Sequence, residues 1–84
     1  MANIWSGPIN NQDYEQLETI AGVTFEQDKK YLIQTDNAAI FRVGTTGRGI
    51  KVYAGDRPFE YTQGTDNLYV KCGNSASGYI NISD

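Results

Sequence analysis

The chain has 84 residues, with seven Lys and Arg against ten Asp and Glu and a formal net charge of −3. This length accommodates one domain and not two, and the acidic balance argues against nucleic acid as the main partner. A chain this short buries only roughly 60–65% of the surface that its unfolded form exposes, so we expect a marginal core and self-association.

Residues 1–12 combine Gly, Pro and three Asn with the apolar residues Ile4, Trp5 and Ile9. No period of a helix or a strand holds there, so the pattern predicts an extended N-terminal arm ahead of a single β domain at 13–84. Two roles remain open for the arm. Trp5 could cover an open end of the β body, or Ile4, Trp5 and Ile9 could bind a partner, because Trp is a favoured interface anchor.

Residues 13–22 fit two patterns. Asp13 could cap a short helix in which Leu17 and Ile20 share a face and Gly22 ends the helix. At a period of two, the same segment indicates a strand that continues to Phe25. We expect about one turn of helix followed by a strand from Val23.

Six short runs rich in β-branched and aromatic residues follow, at spacings of about ten residues. They are Tyr31–Thr35, Ala39–Val43, Gly49–Tyr53, Phe59–Thr62, Leu68–Cys72 and Tyr79–Ile82. Connections this short favour antiparallel neighbours, because parallel crossovers need about a dozen residues or more. The sequence therefore predicts an all-β fold, a small antiparallel sandwich or barrel of roughly six to seven strands.

The second half of the chain repeats one order of turn, strand, glycine-bounded turn and strand. The first copy begins at Thr35-Asp36-Asn37 and the second at Thr65-Asp66-Asn67, with Tyr31 and Tyr61 at equal distances ahead of them. This pattern predicts that the fold is built from two similar hairpins.

Alternation along the strands predicts the side on which each residue lies. The predicted core residues are Val23, Phe25, Ile33, Phe41, Val43, Ile50, Val52, Leu68, Val70, Cys72, Ile80 and Ile82. The predicted outward residues are Arg42, Lys51, Tyr53, Tyr69, Lys71 and Tyr79.

Catalysis is difficult to assemble from this composition. The chain has no His, and its one Cys, Cys72, alternates with core residues, so neither a catalytic triad nor a usual zinc site is expected. Carboxylates such as Asp36, Asp56 and Asp66 could form the pair of a small hydrolase, but turn hydrogen bonding explains Asp36 and Asp66 without any catalytic role, and a chain this short has little volume for a cleft. We expect a protein that is not an enzyme and has no cofactor or metal.

The outward residues Lys51, Tyr53, Tyr69, Lys71 and Tyr79 are the candidate ligand-binding set. Tyrosine rings stack on sugars and are common at protein interfaces, so a carbohydrate-binding module that recognises surface glycans is the alternative function. The other explanation is that these aromatic residues only make cross-strand pairs on the wet face of a sheet.

No secretion signal and no apolar run long enough for a membrane span are visible in the sequence, so we expect synthesis in a cytoplasm and no membrane partner.

Several segments resemble small accessory virion proteins of tailed bacteriophages. They include Lys30-Tyr31-Leu32-Ile33-Gln34, the stretch from Arg57 to Gly64, Leu68-Tyr69-Val70-Lys71 and Ile80-Asn81-Ile82-Ser83. The resemblance covers roughly residues 23–84. It implies a non-enzymatic β domain, often a homotrimer, that decorates a capsid or belongs to a fibre or tail. The expected partners are then copies of the chain itself and a phage capsid or tail protein, and the expected location is the virion, after synthesis in the host cytoplasm.

Overall fold

A computed structural model describes residues 3–53, 55, 57–73 and 77–84. Within these residues the chain forms eight strands and one short helix. The elements are β1 (Asn3–Ile9), β2 (Glu15–Gln16), α1 (Leu17–Ala21), β3 (Lys30–Thr35), β4 (Ala39–Val43), β5 (Ile50–Val52), β6 (Phe59–Thr62), β7 (Leu68–Cys72) and β8 (Gly78–Ser83). The six strands predicted from β-branched and aromatic runs are confirmed, with ends that differ by two residues at most.

The strands form two antiparallel four-stranded sheets, which we call sheet A and sheet B. The order in sheet A is β1-β8-β3-β6, and the order in sheet B is β2-β7-β4-β5. This is the strand order of an eight-stranded jelly roll, a sandwich of two interlocking Greek keys. The all-β prediction is therefore confirmed as a sandwich, with more strands than expected and without closure into a barrel.

The predicted N-terminal arm is wrong for residues 3–9, because this segment is the edge strand β1. It pairs antiparallel with β8 from Asn3 opposite Ser83 to Ile9 opposite Gly78, with a register shift between Asn3 and Trp5. Trp5, Gly7 and Ile9 lie at alternate positions on the inner face of β1. The prediction failed because the glycine interrupts the alternation of apolar residues by which a strand is recognised. A glycine is needed at position 7, because the Trp5 indole occupies the space that a Cβ would need there.

Only one of the two predicted hairpins is a hairpin. Strands β4 and β5 pair directly, with Ala39 opposite Val52 and Phe41 opposite Ile50. In the second copy, β7 pairs with β2 and β4 in sheet B, whereas β8 pairs with β1 and β3 in sheet A. The similar sequences therefore have different roles, and a local pattern cannot distinguish a hairpin from a crossing between two sheets.

The turn of helix predicted within residues 13–22 is confirmed as α1, but its N-cap residue is Gln16 and not Asp13, and the prediction of a strand from Val23 is wrong. Gly22 ends α1 in the left-handed conformation at φ 69°, and its N–H donates to the Glu18 carbonyl at 2.9 Å. The chain then continues without regular structure to Lys29. Phe25 is still buried, because its N–H donates to the Glu18 carboxylate at 2.9 Å and its ring packs on Tyr31.

The core prediction is confirmed for most of its residues. The prediction is wrong for Val43 and Ile50, whose side chains are 50% and 58% exposed. Both point to the inner side of sheet B but lie at the loop end of the β4–β5 hairpin, where sheet A does not cover them. Val23 is only partly buried and packs at the margin of the core.

Several buried residues were absent from the predicted core. They are Ile9, Leu17, Tyr31, Ala38, Ala39 and Tyr61. Tyr31 and Tyr61, the residues at matching distances ahead of the two repeats, lie directly opposite each other across β3 and β6. Phe25 contacts both rings, with centroid distances of 4.6 and 5.7 Å. The repeat therefore places an aromatic pair in the core.

Candidate functional site

The candidate ligand-binding set is divided between the two outer faces of the sandwich. Tyr69 and Lys71 lie on β7, and Lys51 lies on β5 with Tyr53 directly after it, so these four residues belong to sheet B. Tyr79 lies on β8 in sheet A. It is 46% exposed, but it cannot join the other two tyrosines in one binding row.

Sheet B instead adds Tyr14 and Arg42 to this set. Arg42 lies opposite Tyr69 and points outward, because its neighbours Phe41 and Leu68 belong to the inner layer. Tyr14 comes just before β2 and its ring extends over the same face. We call this surface the cationic–aromatic face. Its residues are Tyr14, Arg42, Lys51, Tyr53, Tyr69 and Lys71.

Tyr14 is the centre of the cationic–aromatic face. The Arg42 guanidinium carbon lies 3.9 Å from the centroid of the Tyr14 ring, and the Lys71 ammonium lies 4.7 Å from it. Both distances are within the range in which a cation is attracted to an aromatic face. The ring therefore holds two cations in place, although like charges would otherwise repel each other.

A glycine allows Tyr14 to lie across the sheet. A Cβ at Gly49 would collide with the Tyr14 hydroxyl and with the Ile40 side chain. The absence of a side chain at Gly49 is therefore what lets the phenol reach the beginning of β5. Sequence reasoning placed Gly49 at the start of the predicted strand Gly49–Tyr53, and no sequence signal identifies its contact with Tyr14.

The remaining cations on the face also lie near tyrosine rings. Lys51 Nζ lies 5.2 Å from the Tyr53 centroid, and Arg42 lies 5.8 Å from that of Tyr69. The Gln16 amide donates to the Tyr69 hydroxyl at 3.5 Å, and Arg42 Nε donates to the Gly44 carbonyl at 3.1 Å. These contacts orient the side chains before any partner binds.

The two outer faces differ in charge. Strands β4, β5 and β7 carry Arg42, Lys51 and Lys71 and no carboxylate, and the acidic residue of strand β2, Glu15, lies opposite the inward residue Val70. Among the described residues, the ion pairs involve other cations, Lys29 and Lys30. The cationic–aromatic face is thus positive within a protein whose net charge is −3.

The ion pairs among the described residues lie beside sheet A and involve Lys29 and Lys30. Lys29 contacts the Asp84 carboxylate at 2.9 Å and that of Glu26 at 3.1 Å, and these hydrogen bonds raise the pKa of Lys29 above its usual range. Lys30 pairs with Glu60 across β3 and β6, and this hydrogen bond lowers the pKa of the Glu60 carboxyl. The Lys30 and Glu60 side chains are largely exposed, so their pair contributes little to stability, whereas Lys29 and Asp84 are about one third exposed.

The predicted partner-binding residues Ile4, Trp5 and Ile9 lie on or next to the inner side of β1. Ile9 is 2% exposed and belongs to the core, so its side chain does not reach the surface. Ile4 and Trp5 are partly buried and pack against that core. This placement corresponds to the first of the two roles considered for Trp5, which was to cover the β body.

The groups considered for catalysis are not brought together. Asp36 follows β3 and Asp66 follows β6; because these strands are antiparallel, the two carboxylates lie at opposite ends of sheet A. Asp56 lies outside the described residues. Cys72 is 4% exposed, and burial raises the pKa of its thiol, which opposes formation of a thiolate.

No group of three or more His, Cys, Asp or Glu side chains is arranged to hold a metal ion in the described part of the chain. The described helix α1 is too short to cross a membrane, and no other helix of suitable length and apolar character occurs there.

Comparison of the chain with protein-family models, with curated proteins and with solved structures found no match.

Proposed function

We propose that this protein is a non-enzymatic structural subunit of a phage virion, as a capsid decoration or as an accessory part of a fibre or tail. In this proposal the chain associates with itself, as a homotrimer, and docks on a larger assembly. The observation that carries the docking step is the cationic–aromatic face of sheet B.

The composition of this face supports an acidic protein surface as the partner. Arg42, Lys51 and Lys71 present guanidinium and ammonium donors for carboxylates, and the tyrosines add apolar area at a low cost in side-chain entropy. Tyr and Arg are also the residue types most enriched at the centres of protein interfaces. A phosphate backbone carries a continuous line of negative charge that extends beyond this one face, and the rest of the chain, with a net charge of −3 overall, would repel it; we therefore expect a protein with a local acidic patch and not nucleic acid.

The strand order gives a second line of support. The jelly roll is the architecture of many viral capsid domains and also of lectins. Because one fold serves many functions, this argument is an analogy and adds to the argument from the surface without replacing it. The resemblance of residues 23–84 to accessory virion proteins also supports a structural role in a virion.

Self-association is supported by apolar side chains at one end of the sandwich. Val43 and Ile50 point inward from β4 and β5 but remain half exposed. Strand β5 is also an edge strand of sheet B, so one side of its backbone has no neighbouring strand. Burial of this end against other copies around a symmetry axis would stabilise a small core.

The docking is tested on phage particles that assemble in the presence of the gene for this protein. We expect mass spectrometry of purified particles to detect the protein in a fixed ratio to the major structural proteins. A double variant, Arg42→Gln with Lys71→Gln, should be lost from the particles because it removes two cations from the cationic–aromatic face.

The matched control for docking is Lys30→Gln with Arg57→Gln, which changes the net charge equally at exposed positions outside that face. We expect this control to remain in the particles. Absence of the wild-type protein from particles, or incorporation of both double variants at the wild-type ratio, would refute the proposed docking. Thermal unfolding of each purified variant establishes that it is folded.

Sedimentation at micromolar concentration tests self-association separately. The wild-type chain should sediment as a trimer, and Ile50→Asp should shift it towards the monomer because a charge would be buried in the contact. Thr62→Asp, an exposed strand residue of sheet A, is the control. A monomeric wild-type chain would contradict the oligomer.

A further inference from the structure

A shallow cleft lies on sheet A, on the opposite side of the sandwich from the cationic–aromatic face. It forms where β3 ends and β8 begins, beside the loop between β5 and β6, and has a volume of about 370 Å³. The lining residues are Gln34, Thr35, Asp36, Gly55, Tyr79 and Asn81. This volume lies within the range typical of small-molecule sites.

The register of the strands places the cleft residues together. Gln34 lies opposite Asn81 across β3 and β8, and both point outward because Ile33 and Ile82, which are opposite each other, face the core. Tyr79 is two residues from Asn81 on the same outer face and is 46% exposed. The cleft therefore presents two amides beside an open aromatic ring.

Hydrogen bonds fix the backbone around the cleft. The Asp36 N–H donates to the Tyr79 carbonyl at 2.9 Å, and the Asn37 amide donates to the Ser77 carbonyl at 3.2 Å. On the other side, the Ser6 hydroxyl donates to Asn81 Oδ1, which leaves the Asn81 NH₂ directed away from that bond. A site held in this way loses little conformational entropy when a ligand binds.

The chemistry of the lining residues indicates the class of ligand. The side-chain amides of Gln34 and Asn81 can both donate and accept hydrogen bonds, and the two oxygens of the Asp36 carboxylate can each accept one. Among the described residues no Lys or Arg lines the cleft, and Asp36 would repel an anion. The Tyr79 ring offers a flat apolar surface next to these polar groups. A neutral ligand with several hydroxyl groups and an apolar C–H face satisfies all of these features.

We infer that the cleft formed by Gln34, Asp36, Tyr79 and Asn81 binds a neutral sugar. The sugar ring stacks on Tyr79, and its hydroxyl groups exchange hydrogen bonds with the two amides and with the Asp36 carboxylate. This site does not depend on the proposed docking, because the two lie on opposite outer faces. If both are correct, one face holds the subunit on a particle while the other presents a sugar site to the surroundings.

Titration of the ¹⁵N-labelled full chain with neutral monosaccharides tests the inference by NMR. The panel is glucose, galactose, mannose and N-acetylglucosamine, with glucuronic acid as the anionic comparison. We expect saturable shifts, in the millimolar range and for at least one neutral sugar, of the backbone amides of Gln34, Asp36, Tyr79 and Asn81. Glucuronic acid should bind more weakly than its neutral counterpart, glucose.

Variants distinguish the cleft from other surfaces. Tyr79→Ala should weaken binding roughly tenfold, and Tyr79→Phe should retain most of it because the ring remains. Thr62→Ala, at an exposed residue of sheet A that does not line the cleft, should bind as the wild-type chain does. The inference is overturned if no neutral sugar of the panel gives saturable shifts, if the shifts map to the cationic–aromatic face, or if Tyr79→Ala binds unchanged.

Discussion

The buried phenol of Tyr61 should make the protein lose stability in alkaline solution. Its side chain is 4% exposed and donates a hydrogen bond to Gln63 Oε1 at 2.6 Å. Burial, with smaller contributions from the Glu18 and Asp66 carboxylates, raises the pKa of Tyr61 from 10.0 to about 12. The folded state therefore retains the phenol proton over a pH range in which the unfolded chain has lost it.

The direction of the effect follows from proton linkage. A raised pKa stabilises the fold fully below pH 10, and this contribution is lost as the pH rises through about 12. A shift of about two pKa units corresponds to about 2.7 kcal/mol at 1.36 kcal/mol per unit. That is a large fraction of the total stability of about 4–13 kcal/mol expected for a domain of this size.

Denaturant unfolding of the wild-type chain and of Tyr61→Phe at several pH values measures this contribution. At neutral pH we expect Tyr61→Phe to be less stable by about 1–2 kcal/mol, because Gln63 Oε1 loses its buried donor. The difference between the two proteins should disappear and then change sign between pH 10 and pH 12, because only the wild-type chain can lose the Tyr61 proton and the contribution it loses is larger than the difference at neutral pH. A difference that stays constant over this range would refute the reasoning, and the subtraction removes contributions from other tyrosines and lysines.

Three further predictions concern stability and reactivity. Gly73→Ala should lower the free energy of unfolding by about 1–3 kcal/mol, because the added Cβ would lie 2.7 Å from the Ala38 carbonyl oxygen. Gly64→Ala is the control, since its Cβ would meet no atom within 4 Å and should change the free energy of unfolding by less than about 1 kcal/mol. Denaturant unfolding measures both variants. Leu17→Ala should destabilise the fold by about 2–5 kcal/mol, which a fall in melting temperature would reveal, since Leu17, the first residue of α1, is fully buried. Cys72 should react slowly with a thiol reagent in the native state and rapidly in denaturant, and equal rates would contradict its burial.

Sequence reasoning located the strands from β3 to β8 because each carries a strong local pattern. It missed β1, where Gly7 stands in an inner position under the Trp5 ring, and it missed β2, which has two residues only. Most core residues followed from alternation. Val43 and Ile50 did not, because exposure at the end of a hairpin depends on how far the opposite sheet extends.

The candidate site was predictable only in part, for a similar reason. Alternation correctly separated Tyr69 and Lys71 from the core, but it assigned no sheet to either of them. Tyr79 therefore appeared to belong with them, although its strand crosses to sheet A. Tyr14 lies outside regular strand alternation, so its stacking on Arg42 and Lys71 had no sequence signal.

The sequence alone determined the all-β class, the positions of six strands and the inner or outer side of most of their residues. These properties follow from interactions between near neighbours along the chain. The tertiary structure alone decided which strands share a sheet, and with that the jelly-roll order, the composition of the cationic–aromatic face and the position of the Tyr79 cleft. Strand pairing joins segments as distant as β1 and β8, and such pairing depends on packing of the whole core, which no local pattern encodes.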